Sequence, residues 1–133
     1  MNLVQTIHQR WAAAAALNAL LPAARVFTGM SFEPSLPRAT IGKQSDTPTS
    51  YASDGSAIDT VVIRFLVFHE HYDDAAEIVQ QIKVAFDRSS FALAGDDQVQ
   101  LMQRSNDFEE QLDDGTWQMT IDFQCTVYLA SGV

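Results

Sequence analysis

The stretch Trp117-Gln118-Met119-Thr120-Ile121-Asp122-Phe123-Gln124-Cys125-Thr126-Val127-Tyr128-Leu129 alternates apolar and polar from end to end. Side chains on a strand point to opposite faces with a period of two, so this segment predicts a β-strand with one dry and one polar face. At about 3.3 Å per residue it would run roughly 40 Å if straight. A compact chain of this size is about 36 Å across. A strand as long as the domain is wide either bends hard or reaches past the core. The second option points to assembly rather than to catalysis.

Upstream of it, Asp114-Gly115 is a hairpin signal. It predicts a preceding strand within residues 97–112, carrying Val99, Leu101, Phe108 and Leu112. Residues 58–71 read as a second long strand. Val61, Ile63, Phe65 and Val67 face one way and Val62, Leu66 and Phe68 the other, interrupted by Thr60 and Arg64. Apolar residues on both faces predict a central strand, with a helix on one side and something else on the other. Residues 74–87 repeat Ala75, Ile78, Val79, Ile82, Ala85 and Phe86 at helical spacing. Asp73 or Asp74 is placed to cap this helix, and Asp74 with Glu77 has capping-box spacing. Phe91, Leu93 and Gly95 then turn the chain.

In the N-terminal half, residues 3–20 predict a helix through Leu3, Ile7, Trp11, Ala14 and Ala15, stopped by Pro22. Residues 25–28 predict a short strand. Pro34 and Pro37 bracket a loop, and residues 38–42 read as a short edge strand. Residues 43–57 are polar, with Pro48 and Gly55, and have little to bury beyond Tyr51. They are expected to form a flexible loop. The predicted class is α+β. A mostly antiparallel sheet carries two helices, one N-terminal and one central and amphipathic, and ends in the long C-terminal strand. Residues 1–133 are expected to form one domain.

The chain has 133 residues, of which 47% are hydrophobic, enough for a real core. No apolar run approaches the ~20 residues of a membrane span. No basic region precedes an apolar stretch at the N-terminus, so manufacture in a reducing cytoplasm is expected. The single cysteine, Cys125, lies on the dry face of the long strand and reads as a small buried hydrophobe. Net charge is −9, and it is lopsided. Residues 1–66 hold five basic groups and four acids, whereas residues 67–133 hold three basic groups and thirteen acids. Such a surface repels phosphate, which excludes gripping DNA or RNA. It can let DNA slide past, mate with a basic partner, or simply keep the protein soluble.

Reactive constellations are scarce. His69 and His71 share a strand face beside Glu70, Asp73 and Asp74, and two histidines with a carboxylate could bind zinc or iron. Spacing supplies no third ligand, and a solvated strand end leading into a capped helix explains the same residues. His8 offers nothing local. The acid pairs Asp73-Asp74, Asp96-Asp97, Glu109-Glu110 and Asp113-Asp114 fall at turns or helix starts, unlike opposed catalytic carboxylates. No nucleophile elbow, phosphate loop, dinucleotide fingerprint or CxxC occurs. No catalytic residue, metal or cofactor is therefore assigned.

The second half carries a recognisable order. A long strand ends in Val67-Phe68-His69-Glu70-His71 and leads into Asp73-Asp74-Ala75-Ala76-Glu77-Ile78. Phe91-Ala92-Leu93-Ala94-Gly95, a strand, the acidic stretch with Asp114-Gly115 and the last alternating strand follow. This order resembles the tail terminator, or tail completion, proteins of long-tailed phages and prophages. The N-terminal helix and the Leu36-Pro37 lead into a short strand fit as well. Segment 43–57 has no matching pattern, and Phe68-His69-Glu70-His71 stands where the family often has a tryptophan and basic residues. The resemblance implies a non-enzymatic ring subunit, commonly a hexamer, in the virion at the head–tail junction. The ring caps the tail tube and joins it to the head connector, and DNA passes through without specific binding. On this reading Tyr51, Asp54, Asp107, Glu109, Glu110, Asp113 and Asp114 are candidate interface residues, with Asp107 to Asp114 facing the lumen. Competing readings are another head–tail joining or minor tail protein, and a small metal-binding enzyme using His69 and His71.

Overall fold

A computed structural model describes residues 1–29 and 35–133. Pro34, one of the two prolines bracketing the expected loop, lies outside the described residues. Two helices come first, α1 (Leu3–Ala13) and α2 (Ala15–Leu20), then a 3-10 turn (Ala23–Arg25) and β1 (Val26–Thr28). The long strands β2 (Arg38–Tyr51) and β3 (Ala57–His69) precede α3 (Tyr72–Phe86), and β4 (Ser89–Ala92), β5 (Gln98–Gln111) and β6 (Trp117–Leu129) complete the fold. The strands form one six-stranded sheet in the order β1-β2-β3-β6-β5-β4. All pairings are antiparallel except β1 with β2. The α+β class read from the sequence is the class observed.

The dry face of β6 does what its alternation predicts. Met119, Ile121, Phe123, Cys125, Val127 and Leu129 are all buried. They meet Val61, Ile63, Phe65 and Val67 of β3 under the helices. Phe65 sits at the centre, its ring 5.3 Å from Phe86, 5.4 Å from Phe123 and 6.1 Å from Trp11. Tilted and edge-on rings at these separations suit the aromatic quadrupole.

The structure departs from expectation in several places. The N-terminal helix breaks at Ala14, which is extended (φ −83°, ψ 95°). On a continuous helix Leu17 would lie about 120° around from Trp11. The break lets Trp11, Leu17 and Leu21 all reach the core, and the Trp11 indole donates to the Leu21 carbonyl at 2.9 Å. Burial overrides the helix propensity of the alanines. α3 starts after His71, with no side-chain cap, so the proposed capping box does not form. Asp73 and Asp74 sit in its first turn, where the helix dipole favours acids. Phe91 belongs to a strand, β4, and not merely to a turn.

The expected loop at 43–57 is the largest correction. Residues 43–51 continue β2 as an exposed arm paired to β3, and only residues 52–56 turn. Nothing apolar marks this segment, because its backbone bonds to β3 hold it rather than burial. A further departure concerns the far side of β3. Val62, Leu66 and Phe68 are half-buried, and no described helix or strand lies over them.

Phe65→Ala should cost about 3–5 kcal/mol, because it empties the centre of the aromatic cluster. Chemical denaturation of the variant would measure the loss.

Candidate functional site

The two long hairpins end at opposite ends of the sheet. Tyr51 and Ala57 lie in the same row as Leu129, whereas Gln111 and His69 flank Trp117. Both tips are built alike. The turn Ala52–Ser56 bonds Ala52 N–H to Ser56 O and Gly55 N–H to Ala52 O. The turn Leu112–Thr116 repeats both bonds at the matching positions. Asp54 accepts from the Ser56 N–H at 2.9 Å, and Asp114 accepts from the Thr116 N–H at 2.9 Å. The Ser56 hydroxyl, which donates to Asp54 at 2.6 Å, and then the Ser56 N–H hold the Asp54 carboxyl below the usual range, and the Thr116 N–H does the same for Asp114. Asp54 and Asp114, chosen from sequence as interface acids, thus tie turns together. Asp54-Gly55 carries the same turn signal as Asp114-Gly115, but the sequence reading took segment 43–57 as a loop and passed over it.

The tip at 52–56 is also clamped. A Cβ at Gly132 would collide with the Gly55 carbonyl oxygen, so the C-terminal turn packs directly on it. Tyr51 stands beside this tip and is 73% exposed. Asp113 is exposed in the other turn.

Strand alternation splits the remaining acids of β5. Asp107 and Glu109 point to the helix side. Lys83 of α3 meets Asp107 at 2.6 Å, and Tyr72 donates to Glu109 at 2.8 Å. The Lys83 bond lowers the Asp107 pKa, and acceptance by Glu109 raises that of Tyr72. A groove of about 440 Å³ lies between α3 and this part of β5, with Val79 and Met119 among its lining residues. Phe108 and Glu110 point to the opposite, uncovered face. The sequence reading grouped Asp107 to Asp114 as one acidic surface, and the pleat divides it.

The uncovered face carries a partly buried ion pair that sequence reasoning missed. Arg64 of β3 holds Asp122 of β6 with two bonds, 2.8 and 3.0 Å. The two residues are direct cross-strand partners. Arg64 also lies over the Phe108 ring at 5.9 Å, and Arg38 over Phe68 at 4.4 Å. Thr120 on this face is only 1% exposed.

His69 ends β3, and His71 directly precedes α3. The His69 Nδ1 accepts the His71 backbone N–H at 3.0 Å, and the ring centroids are 5.8 Å apart. Burial lowers the His69 pKa. Among the described residues no group of three His, Cys, Asp or Glu side chains could hold a metal.

With the fold and surface in hand, comparison identifies the lineage. The family described as tail completion protein gp17 matches residues 5–128. The chain belongs to that family. It is a structural protein of the phage tail. A solved chain from the "Virion of native gene transfer agent (GTA) particle" shares the fold, with a TM-score of 0.72 at 12% identity. The match covers 92% of this chain and 91% of that chain. No match was found among curated proteins. The match to the tail completion family spans both hairpins, so the exposed arm at 43–51 lies within the matched region.

One titration follows from the arm. Asp46 contacts Lys43 at 3.6 Å and accepts a hydrogen bond from the protonated Asp59 carboxyl, which, with burial and charge repulsion, raises Asp59 to about 6. The fold therefore favours protonated Asp59. That contribution is present below the unfolded value and is lost as pH rises through about 6. Asp59→Asn should match the parent at pH 4 and exceed its Tm at pH 7 by about 1–3 °C, the scale of a solvent-screened pair. Thermal melts of both proteins across this range check it.

Proposed function

We propose that this protein ends the phage tail as a closed ring of about six copies that caps the tail tube and joins it to the head connector. DNA passes through the lumen without specific binding. The reading is non-enzymatic. It is supported by membership of a structural tail family and by titratable groups engaged in turns and ion pairs.

The observation that carries the ring is the two-faced sheet. Helices cover one side of the long strands, while the other side is bare yet tightly knit, with Thr120 and Asp122 nearly buried. A bare face of this kind is suited to line a lumen, with the helices outside. It carries Thr40, Thr60, Thr120, Thr126, Gln118 and Gln124 beside Val62, Leu66, Phe68 and Phe108, with Arg64 neutralised by Asp122 and Arg38 laid over the Phe68 ring. Such a wall offers phosphate little to grip. In this arrangement Glu110 faces the lumen, and Asp107 and Glu109 stay outside it. The acidic tips are left for the tube and connector, where charge complementarity can select partners.

Light scattering of the purified protein, alone and with tail tubes, should report a ring near six subunits. Electron microscopy of particles assembled without the protein should show overlong tubes or tails that fail to join heads. A chain that stays a lone subunit in every condition and ignores tail tubes overturns the reading.

A further inference from the structure

Both outer strands of the sheet are paired only in part. β1 accompanies β2 over Ala39 to Ile41, and the Gly29 N–H bonds Ile41 O just beyond. From Lys43 to Tyr51 the outer edge of β2 has no partner strand among the described residues, and every residue there is exposed. β4 accompanies β5 from Gln98 to Met102, and the Asp87 carboxylate takes the Arg104 N–H at 2.9 Å. From Ser105 to Gln111 the outer edge of β5 is likewise open among the described residues. Open edges of this length invite another strand.

The two open edges lie at diagonal corners. Thr47, the middle of the first, shares its row with Thr60, Thr126 and Leu101. Phe108, the middle of the second, lies about six rungs further along β5, allowing for the bulge between Arg104 and Asn106. That offset is about 20 Å along the strands. The lateral repeat of the four long strands is about 19 Å. A neighbour that sets Thr47 beside Phe108 would therefore tilt every strand by about 45° to a common axis, close to the tilt that closes barrels. About six copies would then enclose a barrel about 50 Å across at the backbone.

Charge favours joining unlike edges. Residues 105–111 carry Asp107, Glu109 and Glu110 with no basic group, so two such edges would repel. Residues 43–51 carry one lysine and one aspartate and impose no such penalty. Pro48 lacks an N–H, and the bulges at Lys43/Ser45 and Pro48/Ser50 coil the arm, which limits stacking of one arm on another.

We infer that residues 43–51 of one copy pair antiparallel with residues 105–111 of the next, head to tail, with Thr47 opposite Phe108. This seam rests on the ring proposed above and makes the lumen wall one continuous sheet. Each copy gives its arm to one neighbour and receives the arm of the other, so the contact closes only as a ring.

The test is cross-linking with a short bismaleimide in the double variant T47C/F108C. Both positions are exposed, and both face the uncovered side. Native Cys125 is fully buried, with its thiol pushed up to about 12, so it stays silent. The seam requires a ladder of cross-linked species up to the ring size, and no dimer from T47C alone or F108C alone. S45C/E110C, one rung pair along, should give the same ladder and covers the case in which the first variant fails to fold. Dimers from either single variant would mean like edges meet and would overturn the seam. Rings seen by light scattering without a ladder in either double variant would overturn the seam and leave the ring standing. Lone subunits throughout would overturn both.

Discussion

The pairing of β3 with β6 is the constraint on which everything else depends. It runs from Ala57 opposite Leu129 to His69 opposite Trp117 without a bulge. This straight ladder satisfies the backbone of both strands and fixes which side chains share a face. A slip of one residue would put Phe65 and Phe123 on opposite faces of the sheet. The bulges all lie in the flanking pairs, between β2 and β3, β5 and β6, or β4 and β5. The sheet thus has a rigid middle and coiled outer strands, because each bulge adds local twist where it occurs.

Face selection by that ladder also sorts the charge. Every core-side position on β6 from Met119 to Leu129 is apolar and buried. The opposite positions carry amides, hydroxyls and one aspartate, and the aspartate is held by Arg64. Most of the acids gather on α3, in turns and on the outer part of β5, while β2, β3 and β6 carry one each, Asp46, Asp59 and Asp122. An assembly subunit needs this separation. One face must meet its own helices, and another must meet something that is not its own chain.

The legible parts of the sequence were those where burial leaves a period. β6 alternates perfectly, the inward positions of β3 are Val61, Ile63, Phe65 and Val67, and α3 repeats its apolar residues at three and four. Segment 43–51 left no such trace, since neither of its faces is buried. Its strand state comes from hydrogen bonds to β3, and backbone bonds have no side-chain signature. The Asp54-Gly55 pair could have revealed it, because the same turn chemistry was recognised at Asp114-Gly115. The break at Ala14 had no proline or glycine to announce it. It exists because Trp11, Leu17 and Leu21 converge on one core from positions a straight helix would spread apart.

Sequence alone determined the class, the central strands and the packed face of α3, because each follows from local periodicity. It offered Tyr51 as the anchor of segment 43–57, yet that ring is exposed. Only the tertiary structure decided which of the acids from Asp107 to Asp114 meet α3, which face the bare side, and which merely close turns. Only it could show that the outer strands lie open at diagonal corners. Strand order, register and edge coverage are set by contacts between residues far apart in the chain, and no local pattern encodes them.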